Sequence, residues 1–188
     1  MTQQHDDRIV RFADRRPERW RNGGGTTVEI ARGPRGAEDG AWGWRISVAD
    51  IERAGDFSVF PQCERLLTVV EGDLLLLTVD GREQGLERYR PFRFDGGAAA
   101  GAALPTGAIR SLNVVTADGF RAHVAIVELS GKRPQPVFGG QHAVVLQGRV
   151  SVGGVALGRY DAVVGSDGAP PEATGRGVLA VVSVDPAA

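Results

Sequence analysis

Short runs of Val, Ile, Leu and Thr recur along the chain, and glycine or proline stands between most of them. Thr26–Ala31, Trp44–Ile51, Arg65–Glu71, Asp73–Val79, Ile109–Thr116 and Phe120–Leu129 have this character, and their branched content predicts strands. Between Trp42 and Ala49 the alternation is strict. Trp42, Trp44, Ile46 and Val48 fall on one face, and Arg45, Ser47 and Ala49 on the other. No segment sustains a 3.6-residue period with caps, and a single helical turn is expected only at Ala49–Ala54. The pattern predicts an all-β chain of short strands, hence a sandwich or barrel.

The chain also resembles itself. LTVVEGDLLLLTVDGREQGLERYRPFRFDGG is echoed by AVVLQGRVSVGGVALGRYDAVVGSDGA, with Gly72 matching Gly148 and Leu86–Tyr89 matching Leu157–Tyr160. Asp95-Gly96 matches Asp167-Gly168, and the second copy has a shorter hairpin at Gly153-Gly154. A β-unit repeated at this scale predicts two related barrels. The stretch from Gly131 to Gly140, with Pro134 and Pro136, reads as an extended connector. It divides the chain into an N-terminal lobe, residues 1–130, and a smaller C-terminal lobe, residues 131–188.

Composition narrows the function. With 22 basic and 23 acidic residues among 188, the chain has no basic field to hold a phosphate backbone, so no nucleic-acid partner is expected. The longest apolar stretch surrounds Leu74–Leu77, far short of a membrane span, and the charged first twenty residues lack a signal-type apolar segment. A cytoplasmic protein without a membrane partner is expected. The single cysteine, Cys63, excludes an internal disulfide, and it has no histidine close in sequence to activate it. Unpaired strand edges predict a homodimer.

Three stretches carry candidate chemistry. Trp20-Arg21-Asn22-Gly23-Gly24-Gly25 leads into the strand that holds Glu29. Its glycines allow positive φ, and its N–H groups could meet an anion, or it could be a plain turn. Arg45, on a strand with Ser47, could clamp a carboxylate through two hydrogen bonds or pair with Glu29. Phe57-Ser58-Val59-Phe60-Pro61 reads as a packed corner before Glu64 and Arg65, which point to opposite faces of their strand.

Taken together, Trp20…Asn22-Gly-Gly-Gly-Thr…Glu29-Ile30, Trp44-Arg45-Ile46-Ser47-x-Ala49, Gly55-x-Phe57-Ser58-x-Phe60-Pro61-x-x-Glu64-Arg65-x-Leu67 and Glu71-Gly72 resemble the HutD/Ves family of bacterial proteins over roughly residues 10–130. The resemblance implies a double-stranded β-helix (cupin) fold with two cupin barrels in one chain, a bicupin. It also implies a link to histidine utilisation, with a suggested role in sensing a pathway metabolite. The corner departs from the family's usual Pro-Gly-x-Asp-Arg at Gln62, Cys63 and Glu64. Ser111 stands where the family usually has an acidic residue two before Asn113.

Metal-dependent cupins use two closely spaced histidines, a glutamate and a later histidine. The corresponding stretch, Phe60 to Glu71, has no histidine, and His5, His123 and His142 are scattered. No metal and no cofactor are expected. The reading is a metal-independent cupin binding a small organic acid, with Trp20 and Trp44 as walls and Asn22 and Gly23, Gly24 and Gly25 donating at the mouth. Arg45 or Arg65 pairs the carboxylate, Glu29 and Glu64 orient the arginines or accept from a ligand amide, and Ser47 and Asn113 add polar contacts. The rival is a metal-free cupin enzyme moving a proton on a small acid or sugar. Binding is favoured, because no histidine or other evident base lies in the motifs.

Overall fold

The computed structural model describes residues 7–34 and 42–187, so His5 lies outside the described residues. The chain opens with β1 (Ile9–Val10), a 3-10 turn at Phe12–Asp14, β2 (Pro17–Arg19), β3 (Gly25–Gly33), β4 (Trp44–Ile51) and β5 (Gly55–Asp56). It continues through β6 (Cys63–Glu71), β7 (Leu74–Val79), β8 (Arg82–Glu87), β9 (Phe92–Asp95), β10 (Ala100–Ala103) and β11 (Ile109–Ala117). The remainder is β12 (Phe120–Ser130), β13 (Gln135–Pro136), β14 (Gln141–Val152), β15 (Val155–Leu157), β16 (Ala162–Val164) and β17 (Glu172–Pro186). The protein is all-β, and each segment expected to be a strand contributes one. The helical turn expected at Ala49–Ala54 does not form. β4 runs through Ile51 because Ala49 and Ile51 pair with Ser111 and Ile109 and are buried.

The chain divides into two compact units. One is built on Arg16–Ala122 and takes the C-terminal residues from Asp185; the other is built on His123–Val184 and takes the N-terminal residues up to Arg15. In the first, a six-stranded sheet in the order β2-β3-β4-β11-β6-β9 accompanies a four-stranded sheet in the order β5-β10-β7-β8. Their shared core holds Ile51, Leu67, Val69, Leu75, Leu77 and Ile109, all almost fully buried. In the second, a sheet in the order β1-β16-β14-β17-β12, with β13 on β17 and β15 on β14, encloses an aliphatic core that includes Val137, Val145, Val163 and Leu179.

The N-terminal segment is fastened within this second unit. Ile9 pairs with Val163, and buried Asp161 accepts hydrogen bonds from Arg11 Nη1 at 2.6 Å, Phe12 N at 2.9 Å and Gly158 N at 2.8 Å.

The sequence repeat has a local counterpart in each unit. Tyr89 and Tyr160 both lie in the left-handed region, at φ +65° and +66°. Each donates its backbone N–H to the valine three residues before the matched glycine: Tyr89 to Val69 O at 2.8 Å, Tyr160 to Val145 O at 2.7 Å. A tyrosine in this conformation costs about 1 kcal/mol, so its recurrence at one repeat position marks the same turn. The matched glycines, Gly72 and Gly148, are left-handed as well, at φ +84° and +97°.

Candidate functional site

The site grows from the inner face of the six-stranded sheet in the Arg16–Ala122 unit. Strand pairing sets side chains in rows. Ile51 stands opposite Ile109, Ala49 opposite Ser111, Ser47 opposite Asn113 and Arg45 opposite Val115. On the other side of β11, Val69, Leu67 and Arg65 meet Ser111, Asn113 and Val115. The face therefore changes along the strands, from an aliphatic end that packs into the core to a polar end that cannot. At that end lies a cavity of about 420 Å³, to which Arg45, Ser47, Arg65 and Asn113 all contribute.

Arg65 dominates its electrostatics. The residue is 7% exposed, and its guanidinium carbon lies 5.2, 5.5 and 5.0 Å from the ring centroids of Phe57, Phe60 and Phe94. Nη1 donates to Ser58 O at 3.2 Å, and the enclosed Nε has no hydrogen-bond partner. Among the described residues no carboxylate forms an ion pair with it. Ring faces attract the cation but do not replace its lost hydration. Burial accordingly pushes its pKa below the ordinary guanidinium range, down to about 10.

Arg45 is different. Its Nε stands 3.4 Å from Glu29 Oε2, and Glu29 is also 3.5 Å from Arg32 Nε. The Arg45 Nε contact lies within ion-pair reach but makes no hydrogen bond. Glu29 thus divides its charge between two arginines on neighbouring strands.

Neutral groups complete the polar end. Asn113, 9% exposed, donates Nδ2 to Ser111 Oγ at 2.9 Å. Trp20 Nε1 donates to Thr27 Oγ1 at 2.8 Å, and its ring meets Phe57 edge-on at 6.0 Å. Asn22 ties the mouth together: Oδ1 accepts from Gly24 N at 2.9 Å, and Nδ2 donates to Asp56 O at 3.2 Å.

Of the residues singled out from sequence, Trp20, Asn22, Arg45, Ser47, Arg65 and Asn113 come together around this cavity. Glu29 stands behind Arg45. The rest lie elsewhere. Gly23, Gly24 and Gly25 form the preceding turn, where Gly23 N donates to Trp20 O and Gly24 N to Asn22 Oδ1, so those two donors are already engaged. Gly25 is required by packing, because a Cβ there would stand 2.1 Å from Asp50 O. Trp44 alternates away from Arg45 and lies against Gly33 on the opposite face of the sheet. Glu64 likewise alternates away from Arg65 and pairs with Arg93, so it does not orient either cavity arginine. Sequence reasoning saw the phenylalanine corner only as packing. Phe94, whose strand pairs with β6 at Arg65, was not foreseen at all. An arginine and three phenylalanines have no sequence spacing that announces a cage.

The donor set does not fit a cupin metal. Among the described residues no histidine lines the cavity, and no three His, Cys, Asp or Glu side chains are grouped to hold an ion. Among the described residues no helix is long and apolar enough to cross a membrane.

Residues 12–181 match the HutD family model. An uncharacterised 21.2 kDa protein in the hutC 3' region of Pseudomonas putida is 43% identical over 99 residues, covering 52% of each chain. Protein Ves from Citrobacter koseri is 36% identical over 129 residues, 67% of this chain and 64% of that protein. The matches thus span about half to just under two thirds of these relatives' own lengths. The structure of HutD from Pseudomonas fluorescens SBW25, determined in a formate condition, superposes with TM-score 0.80 at 32% identity, covering 96% of this chain and 98% of that one. A bacterial pirin from Escherichia coli in complex with nickel(II) shares the fold, with TM-score 0.68 at 11% identity over 95% of this chain and 99% of the pirin.

Proposed function

Since the chain belongs to the HutD/Ves family of cupin-like proteins, we propose that it is a two-barrel cupin that binds a small organic anion in its Arg16–Ala122 unit, without a metal, in a sensing or regulatory role. One observation carries the reading: Arg65 is a buried cation with no carboxylate partner among the described residues, beside a cavity. An unpaired buried charge is costly, and a ligand carboxylate is the counterion that would offset the cost. Trp20, Phe57 and Phe60 give the cavity aromatic walls suited to a flat acid. The repeated tyrosine turns support two related barrels. In the matched position the second copy has Gln141 for Arg65, and Gln141 is hydrogen-bonded to Ser183 and Phe138, which supports a single anion site. The hutC neighbourhood of the P. putida relative supports an acid from histidine degradation.

A thermal-shift panel of formate, propionate, urocanate and N-formylglutamate, each beside its neutral amide, tests the reading. Acids should raise the melting temperature by mass action, and the amides should not. A panel in which no acid acts, or acid and amide act alike, would refute it.

A further inference from the structure

Resting on the reading of the cavity as an anion site, we propose that the Ser111–Asn113 pair makes it select acids that carry an N–H or O–H donor close to the carboxylate. The argument begins with the amide of Asn113. Its Nδ2 donates to Ser111 Oγ at 2.9 Å, with Ser111 O a longer 3.5 Å away. Ser111 is fully buried, so this partner does not compete for water. With the NH2 group held there, Oδ1 is the amide atom left for the cavity. Among the described residues it has no hydrogen-bond partner, and it is not sealed off as Arg65 Nε is.

Register fixes where this acceptor stands. Leu67 pairs with Asn113 and Arg65 with Val115, so Asn113 and Arg65 are diagonal neighbours on adjacent strands, about 7–8 Å apart at the backbone. One end of the cavity therefore offers a cation and, one diagonal away, an acceptor. A bare carboxylate satisfies Arg65 but strips water from Asn113 Oδ1 and returns nothing. An acid with a neighbouring N–H or O–H satisfies both. Ser47, opposite Asn113, can donate or accept and so does not discriminate. Ser111 is a positioning residue, acting only through the amide it orients.

Titration calorimetry with two matched pairs tests this: N-benzoylglycine against N-benzoylsarcosine, and mandelate against phenylacetate. The first pair removes a donor by adding a methyl group, and the second removes a donor with no added bulk. The unaltered protein should bind the donor-bearing member of each pair about tenfold more tightly, the scale of one neutral hydrogen bond. Asn113→Leu should abolish the preference in both pairs. Ser111→Ala, which frees the amide to turn, should reduce it. Equal binding within the mandelate pair overturns the proposal and leaves the anion site standing, as does a preference that survives Asn113→Leu. Failure of all four acids and formate to bind overturns the anion site, and the proposal with it.

Discussion

Replacing Arg65 with methionine separates a binding cation from a structural one. The fall from the ordinary guanidinium value to about 10 corresponds to roughly 3 kcal/mol against the charged guanidinium in the folded chain. Methionine removes that cost. It also removes three ring contacts of about 0.5–1 kcal/mol each and a charged hydrogen bond to Ser58 O of about 1.5 kcal/mol. Its sulfur restores part of the ring contact, by about 1 kcal/mol. The terms nearly cancel, so stability should stay within about 1 kcal/mol, and the melting temperature within about 4 °C by calorimetry. Affinity should behave otherwise. Removing one partner of a buried charge pair costs about 2–5 kcal/mol, so the tightest acid of the thermal-shift panel should bind at least about 30-fold more weakly. A fall in melting temperature of about 8 °C or more would show that the cation holds the phenylalanines together and would refute the reasoning. So would unchanged affinity in a folded variant.

The same shift predicts a pH dependence. The group is a base whose folded pKa lies below its unfolded one, so the folded state carries the penalty at every pH below about 10 and loses it as pH rises from about 10 toward the ordinary guanidinium value. Acid binding should be flat below pH about 10 in this respect and weaken about tenfold per unit above it, as calorimetry across that range would show. Gly25→Ala drives a Cβ into Asp50 O and should cost about 3 kcal/mol or more in denaturant unfolding. Asp161→Asn removes the charge of a buried carboxylate that holds the partly exposed Arg11, and should cost about 1–3 kcal/mol, with early tryptic cleavage near Arg15 as its signature. Burial, then Asp118, raise the Cys63 pKa, so iodoacetamide should modify it more slowly than a free thiol at pH 8, and Asp118→Asn should speed the reaction.

What could be read from sequence followed the reach of each signal. Alternation carried Arg45 and Ser47 together onto one face, and it also set Trp44 opposite them, although a pocket wall was expected of both tryptophans. For Glu64 and Arg65 alternation gave only that they diverge. Which one faces the cavity depends on the pairing of β6 with β11, a contact across some fifty residues. The expected counter-carboxylate for Arg65 failed for a related reason. Glu29 belongs to Arg45, and Glu64 is turned toward Arg93. The aromatic shell that takes the carboxylate's place includes Phe94, about thirty residues downstream and reached only through strand pairing. The glycine triplet was legible as a turn, but its tight approach to Asp50 is a packing fact with no sequence mark.

The clasp between Arg11 and Asp161 sets an order of events at the ribosome. Arg11 is made before its partner, which follows 150 residues later. At roughly 5–20 residues per second, the leading segment waits on the order of ten to thirty seconds for the strand it joins. Meanwhile Arg16–Ala122 is complete and can fold while the rest is still being made. Synthesis thus delivers the segment that bears the cavity before the strand that captures residues 7–15. Moving residues 7–15 to follow Pro186 through a flexible linker would remove the wait.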